Sequence, residues 1–199
     1  MPEIWGIILA AGESKRMKTR KLLLPFHGST MIEKVIDNVI SSEIKNILVV
    51  LGSGREEILE VIKSLPVKHC YNENFTDGML SSVKRGFRYL PKSMDAVLIF
   101  LGDQPGIPGH VVKKLIRVYE ESKKGILMPV FKQKRGHPVL IDCKYRNEIE
   151  KLDEKEGLRS LAIKFPDDVL EVEVDDDGIL RDIDTREEYL KETSIPEET

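Results

Sequence analysis

The chain of 199 residues reads as an α/β fold: a mostly parallel sheet with helices on both faces and a small antiparallel part toward the end. Short apolar runs alternate with helical patterns through the first two-thirds. Most of the runs are apolar along their length, as strands covered on both faces are, although Val67 to Tyr71 includes Lys68 and His69. After Pro129 the pattern changes to a mixture of short strands and helices. The first strand is expected over Ile4 to Leu9. Thr30 to Ser41 opens with a capping box, Thr30 and Glu33, and continues with Met31, Val35, Ile36, Val39 and Ile40 at helical spacing. Asn46 to Leu51 is the second strand. Arg55 to Ser64 follows as a helix carrying Ile58, Leu59 and Ile62. Val67 to Tyr71 and Ala96 to Leu101 are strands with the helix Met79 to Leu90 between them. Pro108 and Gly109 announce a helix over Val111 to Glu121. Ile126 to Pro129 is the next strand.

In the second part, His137 to Ile141 reads as a strand, Lys144 to Leu152 and Gly157 to Phe165 as helices, and Val169 to Val174 as an alternating strand. Asp175 to Gly178 forms an acidic turn leading into a further strand, Ile179 to Ile183. The turn lacks the later glutamate of a calcium-binding loop. The length fits one domain, 1–199, with a first half over 1–129, a second over 130–192 and a frayed tail over 193–199.

Composition excludes several classes. A formal net charge of −3 argues against a dedicated nucleic-acid binder. Cys70 and Cys143 lack CxxC spacing, so they read as reduced thiols rather than a disulfide or zinc framework. No run approaches the roughly 18 apolar residues of a membrane span, and a cytoplasmic protein is expected. The chain has no GxSxG elbow, HExxH helix or plausible Ser/His/Asp set.

The remaining chemistry is phosphate chemistry. LAAGESKRMKTRKLLLPF, Leu9 to Phe26, leaves the first strand with one glycine and five basic residues. Gly12 permits close approach of backbone to ligand, and Arg16 and Lys21 offer charge to a triphosphate. The spacing fits neither a Walker loop nor a dinucleotide fingerprint. A solvated basic turn is the competing reading, weakened because ligands of open α/β sheets bind beyond the carboxyl ends of strands. In LIFLGDQPGIP, Leu98 to Pro108, Asp103 stands at such an end and suits Mg²⁺, unless it merely caps or turns the chain. RDIDT offers Asp182 or Asp184 as a second carboxylate, with Asp184 or Thr185 as N-cap of a last helix; strand alternation places both aspartates on one face and does not choose between them. TDGMLSSVKRGF puts Gly78, Ser81 and Ser82 at a helix start able to hold a ribose, base edge or phosphate, or simply to cap itself. KRGHPVLI presents His137, structural or functional, and Arg135 and Arg159 could meet a second anionic substrate.

Taken together, LAAGESKRM with Lys21, GMLSSVKRG, GDQP, and RGHPVLI ahead of DIDT resemble the molybdenum cofactor cytidylyltransferases, nucleotidyltransferases with a GT-A-like, three-layer Rossmann-like fold. The resemblance covers nearly the whole chain, and GDQP, GHP and DIDT bring it nearer the cytidylyl branch than the guanylyl one. It implies a nucleotide-binding half followed by a substrate-side half. Leu9, Ala10, Ala11 and Gly12 would line CTP, with Arg16 and Lys21 on its phosphates and Gly78 and Ser82 at the nucleoside. Asp103 and Asp184 would hold Mg²⁺, with Mn²⁺ as an alternative and Asp182 as the other candidate. Arg135, His137 and Arg159 would face molybdopterin. The implied reaction joins CMP to the terminal phosphate of molybdopterin and releases pyrophosphate, before delivery to a recipient molybdoenzyme by a monomer or weak oligomer. Arg16, Lys21 and Asp103 would carry it. Rivals are guanylyl transfer to the same cofactor, transfer to a sugar or alditol phosphate, and a non-catalytic cofactor carrier. Lys18 stands where the family has glycine, and Lys155 and Glu156 replace a Gly-Asp pair ahead of Arg159.

Overall fold

The computed structural model describes residues 2–17 and 19–194, so Lys18 and the end of the expected tail lie outside the described residues. Strands β1 (Ile4–Ala10), β4 (Asn46–Leu51), β5 (Lys68–Tyr71) and β6 (Ala96–Leu101) run parallel, β1 lying between β4 and β6. A two-residue pair, β2 (Pro25–Phe26) and β3 (Ser29–Thr30), forms a separate hairpin. Beyond β6 the sheet continues through β9 (Val139–Asp142), β7 (Ile126–Phe131) and β10 (Val169–Glu173), and the two-residue β8 (Lys134–Arg135) also pairs with β7. β9 is antiparallel to both β6 and β7, whereas β10 is parallel to β7. This is the mostly parallel sheet with a small antiparallel part that the sequence led one to expect.

Strand periodicity splits the core in two. Ile4, Ile8, Ile47, Val49, Leu51, Leu98 and Phe100 point to one face, which is covered by α1 (Met31–Ser41), α2 (Arg55–Ile62) and α4 (Gly109–Ser122). Trp5, Ile7, Leu48, Val50, Val97 and Ile99 point to the other, beneath α3 (Met79–Tyr89), α5 (Arg146–Lys151) and α6 (Arg159–Lys164). The result is the three-layer Rossmann-like arrangement. The capping box of α1 is present, with the Thr30 backbone N–H donating to Glu33 at 2.8 Å. Among the described residues no helix is long and apolar enough to cross a membrane.

One expected strand is absent. Ile179 to Ile183 is not extended: Asp177–Leu180 is a short 3-10 turn and Arg181 to Thr185 has no regular structure before α7 (Arg186–Thr193). The cause is close backbone packing. A Cβ on Gly178 would overlap the Gly106 carbonyl, and the Asp176 carboxylate accepts from the Gly178 N–H at 2.7 Å, so the chain folds over on itself rather than along the sheet. The helix expected at Lys144 to Leu152 is likewise divided into a 3-10 turn, Cys143–Tyr145, and α5.

Asp168 ends the turn before β10, where its carboxylate meets Lys144 Nζ at 2.7 Å and the Tyr145 hydroxyl at 2.5 Å. Burial raises its pKa, but these two donors and the Gly125 backbone outweigh it and leave the pKa below the ordinary 3.8. A depressed carboxylate contributes stability above its unfolded pKa and loses it as pH falls through the folded value. Asp168→Asn is therefore expected to cost about 1 kcal/mol at pH 7. In denaturant titrations, the difference from wild type should shrink below pH 3.8.

Candidate active site

The carboxyl ends of β1, β4, β5 and β6 open onto a cleft of about 410 Å³. Leu9, Ala11, Gly12 and Arg16 line it from the first loop, Lys21 and Leu22 from the turn after it, and Gly78 and Ser82 from the start of α3. Asp103 and Asp184 complete it. Backbone bonds hold the loops in register. The Gly102 N–H donates to the Leu9 carbonyl at 3.0 Å, and the Ser53 N–H donates to the Ala11 carbonyl at 3.1 Å. Arg20 ties the first loop to α2 through Glu57 at 2.8 Å.

Lys21 is the centre of the charge arrangement. Its Nζ lies 2.5 Å from Asp103 Oδ2 and 2.7 Å from Asp184 Oδ1, and Arg16 donates to the other Asp184 oxygen at 2.5 Å. Burial pulls the pKa of the Lys21 ammonium down, but the Asp103 and Asp184 carboxylates more than offset it and leave it above the ordinary lysine value. Burial also raises the pKa of Asp184, yet Lys21 and Arg16 bring it below the usual carboxylate range. Asp182 is exposed beside Asp184, and partial desolvation, then the charges of Asp184 and Asp103, raise its pKa.

Backbone geometry sets which of the DIDT aspartates faces the cleft. The Ile183 N–H donates to the Asp103 carbonyl at 2.9 Å, which docks this segment against the GDQP turn. Ile183 is buried, and Thr185 is the N-cap of α7, with its hydroxyl accepting from the Glu188 N–H at 3.2 Å. Asp184 is thus not the cap, and its side chain faces the cleft while Asp182 stays outside the lining.

Other candidates are placed elsewhere. Ala10 belongs to the core, 1% exposed, and does not line the cleft. Arg135 is exposed on β8 and pairs with Glu171 at 2.7 Å. Arg159 is exposed at the start of α6, where its Nε donates to the Glu156 carbonyl at 3.2 Å. His137 is also outside the lining; its backbone N–H donates to the Ile179 carbonyl at 3.0 Å. Burial lowers its pKa and the nearby Asp103 carboxylate opposes this, leaving a neutral imidazole near pH 7. Residues the motifs did not single out, Phe75, Thr76 and Met79 among them, form the wall beside Ser82.

Two convergent carboxylates are a chemically suitable set for Mg²⁺, which keeps several waters and takes its remaining oxygens from substrate phosphates. Among the described residues no group of three or more His, Cys, Asp or Glu side chains could hold a metal by itself, so phosphate oxygens would have to complete the shell. Lys21 already brings the two acidic groups onto one positive centre.

Gly136 sets the height of this floor. A Cβ there would overlap the Ile179 carbonyl, in the turn that leads to Asp184. Gly136→Ala is expected to destabilise by about 2 kcal/mol, since backbone rather than a movable side chain must yield. The unfolding midpoint and pyrophosphate release should fall together.

Fold and cleft fit a nucleotidyltransferase. The family model described as the MobA-like NTP transferase domain matches residues 6–169, and the chain belongs to that family. Among curated proteins it is similar to nicotine blue oxidoreductase of Paenarthrobacter nicotinovorans, 26% identical over 96% of this chain and 97% of that one. It is also similar to the bifunctional protein GlmU of Thermoanaerobacter pseudethanolicus, 35% identical over 76% of this chain but only 33% of the relative. The chain therefore spans about a third of that longer protein. Among solved structures, Rv0371c of Mycobacterium tuberculosis H37Rv superposes with a TM-score of 0.87 at 23% identity, covering 98% of each chain. Its complex with manganese gives a TM-score of 0.80 at 20% identity, covering 96% of this chain and 98% of that one.

Proposed function

We propose that the chain transfers CMP from CTP to the terminal phosphate of molybdopterin, giving molybdopterin cytosine dinucleotide and pyrophosphate. The observation that carries the transfer is the convergence of Asp103 and Asp184 on Lys21, with Arg16 alongside, in a cleft at the strands' carboxyl ends. Choice of base and acceptor rests on the GDQP, RGHP and DIDT segments, which resemble the cytidylyl branch. Residues 1–129, joined by Asp184, would then serve the nucleotide, and the rest of 130–192 the acceptor.

A phosphate oxygen of the acceptor forms a bond to the α-phosphorus of CTP. The bond from that phosphorus to the bridging oxygen breaks, and pyrophosphate leaves with the electron pair. The nucleophile is already an anion, so no proton need be removed, and the lack of a Ser/His/Asp set is no obstacle. Arg16 and Lys21 neutralise the phosphate oxygens where negative charge gathers. Asp103 and Asp184 would hold Mg²⁺, or Mn²⁺ as named for the mycobacterial complex. When bound, the metal supplies further neutralisation of the triphosphate.

The test is product analysis with molybdopterin and each of CTP, GTP, UTP and ATP. CTP-dependent formation of the dinucleotide with one pyrophosphate released is the expected result. Dinucleotide formed only from GTP would move the chain to the guanylyl reaction, and turnover only with a sugar or alditol phosphate would replace the acceptor. Molybdopterin bound without turnover of any triphosphate would leave a carrier.

A further inference from the structure

Asn72 directly follows β5 and is 4% exposed. Its backbone N–H donates to the Leu51 carbonyl at 2.8 Å. Its side-chain amide has one orientation compatible with its neighbours. The Asn74 backbone N–H lies 3.1 Å from Oδ1, and because an N–H only donates, the atom it faces is the amide oxygen. The amide nitrogen is then turned to the start of α3, 2.8 Å from Ser81 Oγ and 3.0 Å from Ser82 Oγ. Both hydroxyls accept from it, so their own hydrogens point elsewhere. Ser81 Oγ lies 2.8 Å from the carbonyls of both Asn74 and Gly78, so its single hydroxyl hydrogen has an acceptor within the protein. Ser82 has no such acceptor among the described residues, although it is 3% exposed and lines the cleft.

A buried hydroxyl oriented in this way is completed by a group carrying a lone pair. Around it stand Phe75, Thr76, Gly78 and the half-exposed Met79, a partly apolar wall suited to a flat ring. The sheet order β6-β1-β4-β5 separates this wall from Asp103. The wall and Asp103 both line the same cleft, so a nucleotide with its base on the wall can extend its phosphates toward the carboxylates without leaving it.

We infer that Asn72 is a positioning residue that makes the Ser82 hydroxyl an obligate hydrogen-bond donor, so that the cleft grips a nucleotide by an acceptor atom on its base. This rests on the nucleotide reading of the cleft and adds to it how the base is held. Asn72→Asp keeps the side chain's shape and its bond from Asn74, but presents an acceptor to α3. Ser82 would then turn its hydrogen toward residue 72 and offer the ligand only lone pairs. Ser82→Ala removes the donor with a residue that suits a helix.

The experiment is calorimetric titration of CTP with Mg²⁺ into wild type, Ser82→Ala, Asn72→Asp and the double variant, repeated with 2′-deoxy-CTP, alongside the unfolding midpoint of each protein. Each single variant should raise the Kd about tenfold, with the double variant no worse than the weaker-binding single one. The loss should be the same for 2′-deoxy-CTP, and in steady state it should fall on KM rather than kcat. Asn72→Ala, which removes the orienting amide without adding charge, is titrated in parallel in case Asn72→Asp does not fold, and should also weaken binding. Losses that multiply in the double variant would make Asn72 mere glue for the loop and overturn the inference. A loss that vanishes with 2′-deoxy-CTP would move the contact to the ribose and do the same. Wild-type binding matched by every variant overturns this inference alone, whereas a wild type that binds no triphosphate overturns the nucleotide reading and this inference with it.

Discussion

Asp103→Asn is expected to lower triphosphate-dependent pyrophosphate release about 1,000-fold, equivalent to roughly 4 kcal/mol of lost transition-state stabilisation. Asparagine preserves the size of the side chain and leaves the Asp103 carbonyl free to accept from Ile183, a bond of 2.9 Å that docks the DIDT segment. What is removed is one of the two carboxylates that meet at Lys21. A divalent cation would be left with Asp184 alone of the two carboxylates that meet at Lys21. The unfolding midpoint should stay within a few degrees of wild type, which separates a chemical defect from a folded-state one. Turnover within tenfold of wild type would remove Asp103 from the reaction.

Lys21→Met should lower kcat/KM about 100-fold, because the ammonium that would neutralise phosphate oxygens is lost. It should also cost stability. Asp103 and Asp184 have side chains 22% and 19% exposed and would be left facing each other without their shared counter-ion. With solvent still reaching both, a loss of about 2 kcal/mol at pH 7 is expected, below that of a fully buried pair. The pH dependence follows from the two shifts. Lys21 is held above its ordinary 10.5, so its contribution is complete below that value and is lost as pH rises through the folded pKa. Asp184 is held below 3.8, so its contribution is present above that value and is lost as pH falls through the folded pKa. The gap between wild type and variant should be widest between these limits and close toward acid. Mg²⁺ should stabilise the variant more than wild type, since it can take the place of the missing ammonium. Thermal unfolding across pH, with and without Mg²⁺, measures all three effects; equal stability of the two proteins at pH 7 would dismiss the counter-ion role.

Much of the scaffold could be read from the chain alone. Asn46–Leu51 and Ala96–Leu101 are strands with the bounds expected, since a strand covered on both faces must be apolar along its whole length. The capping box of α1 is a local device, carried within four residues, and it forms as expected. The charged loop after β1 and the Asp103 turn after β6 were also recognisable, because in a parallel sheet the ends of such strands share one edge.

The remainder depended on contacts between segments distant in the chain. Ile179 to Ile183 has the apolar content of a strand, but Gly178 lies against the Gly106 carbonyl, 72 residues earlier, and the chain turns instead. No periodicity carries that information. Asp182 and Asp184 are equivalent by alternation; the bond from Ile183 to Asp103 and the cap at Thr185 decide which one enters the cleft. Arg135, His137 and Arg159 share basic chemistry in the sequence, yet none lines that cleft. Local composition thus specified the strands, the helix starts and the kinds of charge available. Their meeting on Lys21, across 82 and 163 residues, was settled by the packing of loops over the sheet edge, because a carboxylate's partner is whatever the folded backbone brings within a few ångströms of it.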